Sequence, residues 1–304
     1  MNETWSTQQE RGNRFMLNLL LWSSLVVGRT FMTVVAIPIV FYFVATSAKA
    51  RQASRDYLRR VVPDKIGLRQ IFKHFYTFAI VSIDRLYVLS GRTGSITTTF
   101  HGREIIEPLL TNPNGALFFV AHLGSFEVLR AASKHRIENV INILMDRQHN
   151  QRIMEVFEKL DPELAARVID VKQDAVELAM TLQARLQRRE LVGIMADRTL
   201  PGEDHVQCNF LGQPAFFPLS PWRLAIVLQV PIIMCAGVYT GKGHYELHFD
   251  IISEKFAASR RERNAVIETA LRKYVGNLEF FCQHYPYNWF NFYSYWSDEA
   301  LNYH

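Results

Sequence analysis

From residue 116 to residue 284 the chain switches its apolar periodicity again and again, and this alternation constrains the fold more than any other feature. Residues 116–121, 139–145, 168–171, 191–196, 231–239 and 245–252 are short runs rich in branched and aromatic side chains, the signature of strands. Residues 125–134, 151–160, 174–188, 218–228 and 259–284 carry apolar side chains at helical spacing instead. A strand, a helix and a further strand in succession make a crossover that leaves the strands parallel. The class expected is therefore α/β, with a mostly parallel central sheet flanked by helices. A loop at 200–204 precedes a further short strand at 206–210. Upstream, 95–100 reads as a strand and 102–110 as a helix stopped by the turn cluster Asn112-Pro113-Asn114-Gly115. Residues 50–92 read as helical throughout. No repeat, low-complexity stretch or linker divides the chain from residue 49 onward, so 49–304 is expected to form one domain.

The N-terminal part has a different character. From Met16 to Ala48 the only charged residue is Arg29, and 30–48 carries no charge at all. That length approaches what a helix needs to cross a hydrocarbon core. Pro38 within it is better tolerated in a membrane helix than in a soluble one. The first nine residues hold no basic side chain, unlike the start of a secretory signal. Directly afterwards come Lys49, Arg51, Arg55, Arg59, Arg60, Lys65, Arg69 and Lys73, against Asp56 and Asp64. The positive-inside rule puts such a flank, and the domain after it, on the cytoplasmic side. Residues 1–48 are thus expected to be a hydrophobic membrane anchor, spanning or embedded. The competing reading is a buried hydrophobic hairpin packed on the domain. Residues 66–89 form an amphipathic helix that suits either a membrane surface or the core.

The net charge of +5 favours an anionic partner. The three cysteines, Cys208, Cys235 and Cys282, show neither a disulfide framework nor a zinc spacing. His101, His135 and His149 make no ligand spacing with His122, and no metal site is expected.

The residues most suited to chemistry end the first parallel strand. The run Leu117-Phe118-Phe119-Val120-Ala121-His122-Leu123-Gly124-Ser125-Phe126-Glu127 puts a histidine where a strand gives way to a helix, the usual place for chemistry in an open α/β sheet. Gly124 allows a tight turn and Ser125 can cap the helix. If the loop bends back, Glu127 fixes the imidazole tautomer and stabilises the imidazolium. An unperturbed histidine, titrating near ~6.5, can then act as a general base. The plainer alternative is a histidine bonded to backbone beside a solvated glutamate.

HLGSFE resembles the H-x4-D/E motif of the lysophospholipid acyltransferase-like superfamily, and most closely the late acyltransferases of lipid A biosynthesis. Other segments fit in order. They are the hydrophobic N-terminus with its basic flank, the strand end Met145-Asp146-Arg147-Gln148-His149-Asn150, the strand–acid segment Gly193 to Arg198, and the loop Asn209 to Ala215. The chain then runs to Pro286-Tyr287-Asn288-Trp289, similar to the family's P-x-x-W close. The family's Asn-Trp before the motif acid is Ser125-Phe126 here, and its Asp-Gln pair is Asp197-Arg198.

This resemblance implies transfer of a fatty acyl chain from a thioester, acyl carrier protein or coenzyme A, to a hydroxyl or amine of a lipid. His122 would be the base and Glu127 its orienting acid. Arg147, or backbone N–H groups near Ser125, would hold the oxyanion. Asp197 and Arg198 would position the headgroup, the carrier's phosphopantetheine arm or each other. A plain surface ion pair is the alternative for those two. No bound cofactor and no nucleic acid are implied. The expected partners are a membrane lipid and an acyl carrier protein, at a bacterial inner membrane, with the oligomeric state open. The aromatic tail 288–296 suits an interfacial belt or core packing. Rival readings are an acyltransferase for another amphiphile (a lysophospholipid, an amino-acid lipid or a lipid-linked pigment), a non-catalytic acyl- or carrier-binding membrane protein, and a lipid hydrolase in which His122 activates water.

Overall fold

The structure, a computed structural model, describes residues 28–110, 113–134, 140–199 and 202–296. The N-terminal expectation for residues 16–27 falls outside them, as do Asn112, His135 and residues 200–201 of the loop.

The described chain opens with three helices, α1 (Arg29–Thr46), α2 (Ala48–Val61) and α3 (Leu68–Leu89). Residues 50–92 are thus not helical throughout: two helices are separated by a break at 62–67, the second covering nearly the amphipathic stretch 66–89. Pro63 explains the break: Val62 before it is extended (φ −110°, ψ 123°), as the residue ahead of a proline prefers. The strand β1 (Thr97–His101) and helix α4 (Arg103–Leu110) come next. The alternating region comprises β2 (Ala116–Val120), α5 (Phe126–Lys134), β3 (Ile141–Met145), α6 (Gln151–Leu160), the single turn α7 (Pro162–Ala165), β4 (Val168–Asp170), α8 (Ala175–Leu186) and β5 (Leu191–Met195). The chain continues with β6 (His205–Phe210), β7 (Gln213–Pro218), α9 (Ser220–Leu228), β8 (Ile232–Gly241), β9 (His244–Ser253) and α10 (Arg263–His284).

The central sheet has seven strands in the order β1-β9-β8-β2-β5-β3-β4. β2, β3, β4, β5 and β8 run the same way, while β9 opposes β8 and β1 runs with β9. The sheet is therefore mostly parallel and covered by helices. The reversal at β9 has a local cause. Lys242 (φ 50°) and Gly243 (φ 80°) form a two-residue hairpin turn, which permits only antiparallel strands. Leu211 (φ 53°) and Gly212 (φ 77°) make the same kind of turn between β6 and β7, a small separate ribbon. β7 falls where the family resemblance reads a loop through Ala215, and because it occupies 213–218 the next helix starts at Ser220 rather than 218.

β2 lies between β5 and β8, and every one of its residues is buried. Leu117 and Phe119 enter one core layer with Trp222, Tyr274 and Leu278, and Phe118 and Val120 enter the other with Val128, Leu129 and Leu247. A strand buried on both faces is apolar without alternation, which is why its sequence reads as a continuous run.

α1 lies against α3 along one stripe of Met32, Ala36, Val40 and Val44, all buried. Its opposite face exposes Phe31, Val34, Ile37, Phe41 and Tyr42. Arg29 fastens its start, with Nε and Nη2 donating to the two carboxylate oxygens of buried Asp84 at 2.6 and 3.0 Å. Tyr245 of β9 donates to the same carboxylate at 2.8 Å. Arg51 of α2 donates to the carbonyls of Val44 and Ala45 and so satisfies the C-terminal end of α1. α1 is the one described helix long and apolar enough to cross a membrane, yet it is also docked on the domain.

Candidate active site

Register brings the key residues together. Val120 of β2 pairs with Met195 of β5, so the residues two positions past each strand, His122 and Asp197, stand level on neighbouring strands. Both lie at the C-terminal ends of parallel strands, where the chain turns away and leaves space for a ligand.

Asp197 is fully buried and holds His122 at two points. Oδ1 accepts from imidazole Nδ1 at 2.9 Å, and Oδ2 accepts from the His122 backbone N–H at 3.0 Å. Trp289 Nε1 donates to Oδ2 at 3.1 Å, and Tyr295 donates its hydroxyl to the Asp197 carbonyl at 2.7 Å. An ionised carboxylate only accepts, so Nδ1 carries the proton and Nε2 presents a lone pair. The His122 side chain is 28 % exposed, which leaves Nε2 an open approach.

The electrostatics keep this arrangement in its working state. Burial, with the nearby Arg198 guanidinium second, pulls the His122 pKa below its usual value, against the opposing pull of Asp197; Arg85 lowers it further. The imidazole is thus neutral at neutral pH. Burial works against the Asp197 charge, but the His122 contact and Arg198 outweigh it and hold that carboxyl at about 2.

The loop between His122 and α5 is fixed on both sides. Gly124 (φ +61°) donates its N–H to the Asn288 carbonyl at 2.9 Å, and Ser125 donates its N–H to the Gly237 carbonyl at 2.8 Å. A Cβ on Gly124 would lie 1.9 Å from the Gly237 oxygen, so no side chain fits there. The C-terminal segment forms a strap over this loop. Phe290 donates its N–H to the His122 carbonyl at 2.8 Å, while the Asn288 amide accepts from the Tyr239 N–H at 2.7 Å and donates to the Tyr239 carbonyl at 3.0 Å. Buried His74 of α3 donates from Nε2 to the Trp289 carbonyl at 2.9 Å, and burial lowers its pKa to about 4, so it stays a neutral structural donor.

The geometry corrects the partner expected for His122. Its carboxylate is Asp197, whereas Glu127 faces α3, where it forms an ion pair with Arg85 (Nε to Oε1, 3.0 Å). The cause is helix geometry: α5 begins at Phe126, and the buried Glu127 in its first turn leans toward α3 rather than back over the strand end. Ser125 caps α5 as expected, with Oγ accepting from Val128 N–H at 3.2 Å and donating to Glu127 at 3.3 Å. Ser125 is fully buried, and its N–H and that of Gly124 are already bonded, so these two amides are not spare donors for an oxyanion. Arg147 lies just past β3, two strands from β2, exposed, with its N–H weakly directed at Asp170 (3.4 Å). Arg198 is not a plain surface ion-pair partner of Asp197. It donates to the Phe290 carbonyl at 2.7 Å and stacks 5.3 Å from the Tyr293 ring. The aromatic tail belongs to the core: Trp289 is fully buried, with Tyr57, Phe210 and Tyr295 around it.

An exposed Nε2 backed by a buried carboxylate is the base half of a nucleophilic triad with no nucleophile of its own. Such a pair deprotonates a hydroxyl or amine that arrives with the substrate. A family model described as bacterial lipid A biosynthesis acyltransferase matches residues 11–293. A search of curated proteins finds no match.

Proposed function

We propose, since the chain belongs to the bacterial lipid A biosynthesis acyltransferase family, that it moves a fatty acyl group from a thioester to a hydroxyl or amine of a lipid A-type acceptor, with His122 as the general base. The observation that carries this reading is the His122–Asp197 pair with its open Nε2. His122 Nε2 takes the acceptor's proton while the acceptor's oxygen or nitrogen bonds to the thioester carbonyl carbon. The carbonyl π electrons move to oxygen. The tetrahedral intermediate then collapses, its C–S bond breaks, and the imidazolium returns the proton to the leaving thiolate. Asp197 keeps the proton on Nδ1 throughout and stabilises the imidazolium.

The developing oxyanion needs a donor. For that role we infer Arg85, partly exposed and held by Glu127, rather than Arg147, which lies past β3, two strands from β2. Glu127 then serves as the anchor of a cation rather than as the orienter of the base. Arg198 holds the strap and lowers the His122 pKa, which favours the free base.

The exposed apolar side chains of α1, together with exposed Leu68 and Phe78 on α3, support docking to a bilayer. Lys49, Arg51, Arg55, Arg59 and Arg60 of α2 support contact with anionic lipid and an acidic acyl carrier protein, with coenzyme A as the other donor. In this reading residues 1–48 anchor the domain 49–304 at the cytoplasmic face of the inner membrane.

The test is incubation of the purified, detergent-solubilised protein with acyl carrier protein thioester or acyl-coenzyme A and a lipid A precursor. Mass spectrometry should show the acceptor gaining one acyl group, and His122→Ala should abolish the gain. Free fatty acid without acylated lipid would instead make the protein a hydrolase.

A further inference from the structure

On the other wing of the sheet, three side chains that share no residue with the His122 site converge. His248 and Glu246 are two residues apart on β9 and so project from one face, and His101 is the register partner of His248 on the edge strand β1. Glu246 Oε2 lies 3.5 Å from His101 Nε2 and 3.4 Å from His248 Nε2, and all three potential ligand atoms lie within 4.8 Å of one another. The imidazole rings are stacked with centroids 4.5 Å apart.

These separations are long for a hydrogen bond, whose usual N–O distance is about 2.9–3.0 Å. The two carboxylate–imidazole separations match two ligand-to-ligand edges of a tetrahedral zinc centre, whose bonds of about 2.0–2.1 Å give edges of about 3.4 Å, while the imidazole–imidazole edge is fixed only as within 4.8 Å. Tyr285, just past the end of α10, donates its hydroxyl to Glu246 Oε2 at 2.7 Å, the outer-shell bond that commonly orients a ligating carboxylate. His101 is 46 % exposed on an edge strand, so an ion can enter, the ring can turn to close the third edge, and water can fill the fourth position.

We propose that His101, Glu246 and His248 bind one zinc-class divalent ion. Two imidazoles and one carboxylate select zinc, cobalt or copper over magnesium or calcium. The ion ties the edge strand β1 to β9 and, through Tyr285, braces the start of the strap whose Asn288 carbonyl and amide hold Gly124 and Tyr239.

The experiment uses untagged full-length protein in detergent, freed of metal with chelator. Zinc is followed by calorimetry and cobalt by its visible absorption. Wild type should bind one zinc per chain, give the intense visible bands of tetrahedral cobalt, and gain thermal stability with zinc. His101→Ala and Glu246→Gln should lose all three responses, and Tyr285→Phe should bind about 10–100-fold more weakly. His149→Ala, at an exposed histidine elsewhere, should behave as wild type. Absence of stoichiometric binding in wild type, or binding unchanged in a folded His101→Ala protein, overturns the proposal.

Discussion

Replacing Asp197 by asparagine discriminates most sharply between the His122–Asp197 pairing and any account in which Glu127 serves the base. The two residues are nearly the same shape, but the wild-type carboxylate accepts at three points: His122 Nδ1, the His122 N–H and Trp289 Nε1. An amide offers one accepting oxygen and one donating nitrogen. Its oxygen is drawn to the side where two N–H groups converge, on His122 and Trp289, because facing them with an NH2 would leave both buried donors unmet, at about 1–3 kcal/mol each. The NH2 then points at His122 Nδ1, which must become an acceptor, and the imidazole proton moves to Nε2. The base is present in the wrong tautomer. The carboxylate's held ionisation, about 2 against an ordinary 3.8, corresponds to roughly 2–3 kcal/mol of interaction that the amide also forfeits. For a triad orienter the same replacement lowers turnover by about 10⁴-fold, and a loss of about 10³–10⁴ is expected here. The assay is acyl transfer from thioester to lipid at saturating donor, with circular dichroism to verify folding. Glu127→Gln should lose about tenfold, since it only loosens Arg85. An Asp197→Asn enzyme within tenfold of wild type, with Glu127→Gln far worse, would refute the reasoning.

The acid limb of kcat/KM should lie below pH 6.5, because a base with a lowered pKa stays unprotonated further into acid; a limb above 6.5 contradicts the burial and arginine effects on His122. Asp197, whose pKa is depressed by folding, stabilises the native state above its ordinary 3.8, so thermal melts should show that stability lost as pH falls through 3.8 toward about 2. Arg29→Met leaves the buried Asp84 carboxylate without its cation, held only by the Tyr245 hydroxyl, and should cost about 3–5 kcal/mol in detergent unfolding, most of it recovered by adding Asp84→Leu and Tyr245→Phe together. Gly124→Ala should abolish acyl transfer, since its Cβ collides with the Gly237 carbonyl and the His122 loop must move; activity near wild type would show the loop tolerates displacement.

The alternation of strands and helices was legible because period and burial agree: a strand sealed on both faces, such as β2, shows an unbroken apolar run. The placement of His122 at its end and Ser125 as the cap came from the same pattern. The antiparallel β9 and the ribbon β6–β7 turn on the positive φ of Lys242 and Leu211, residues that do not announce a left-handed conformation. The sequence marks Asp197 as a strand-end acid, but not as the partner of His122. Pairing across a chain separation of 75 depends on β2 and β5 being neighbours, which spacing does not reveal. Glu127 is the opposite case: it is near His122 in sequence, but the start of α5 directs it toward Arg85 instead. His101, Glu246 and His248 meet only through the β1–β9 register, so their convergence was invisible until the sheet order was known.

The central claim is tested most directly by removing the imidazole and supplying it again. His122→Ala, assayed for acyl transfer to lipid with and without free imidazole, should lose at least about 10²–10⁴-fold and regain part of that loss as imidazole enters the vacated, partly exposed site. Turnover within tenfold of wild type, with no response to imidazole, would contradict the account.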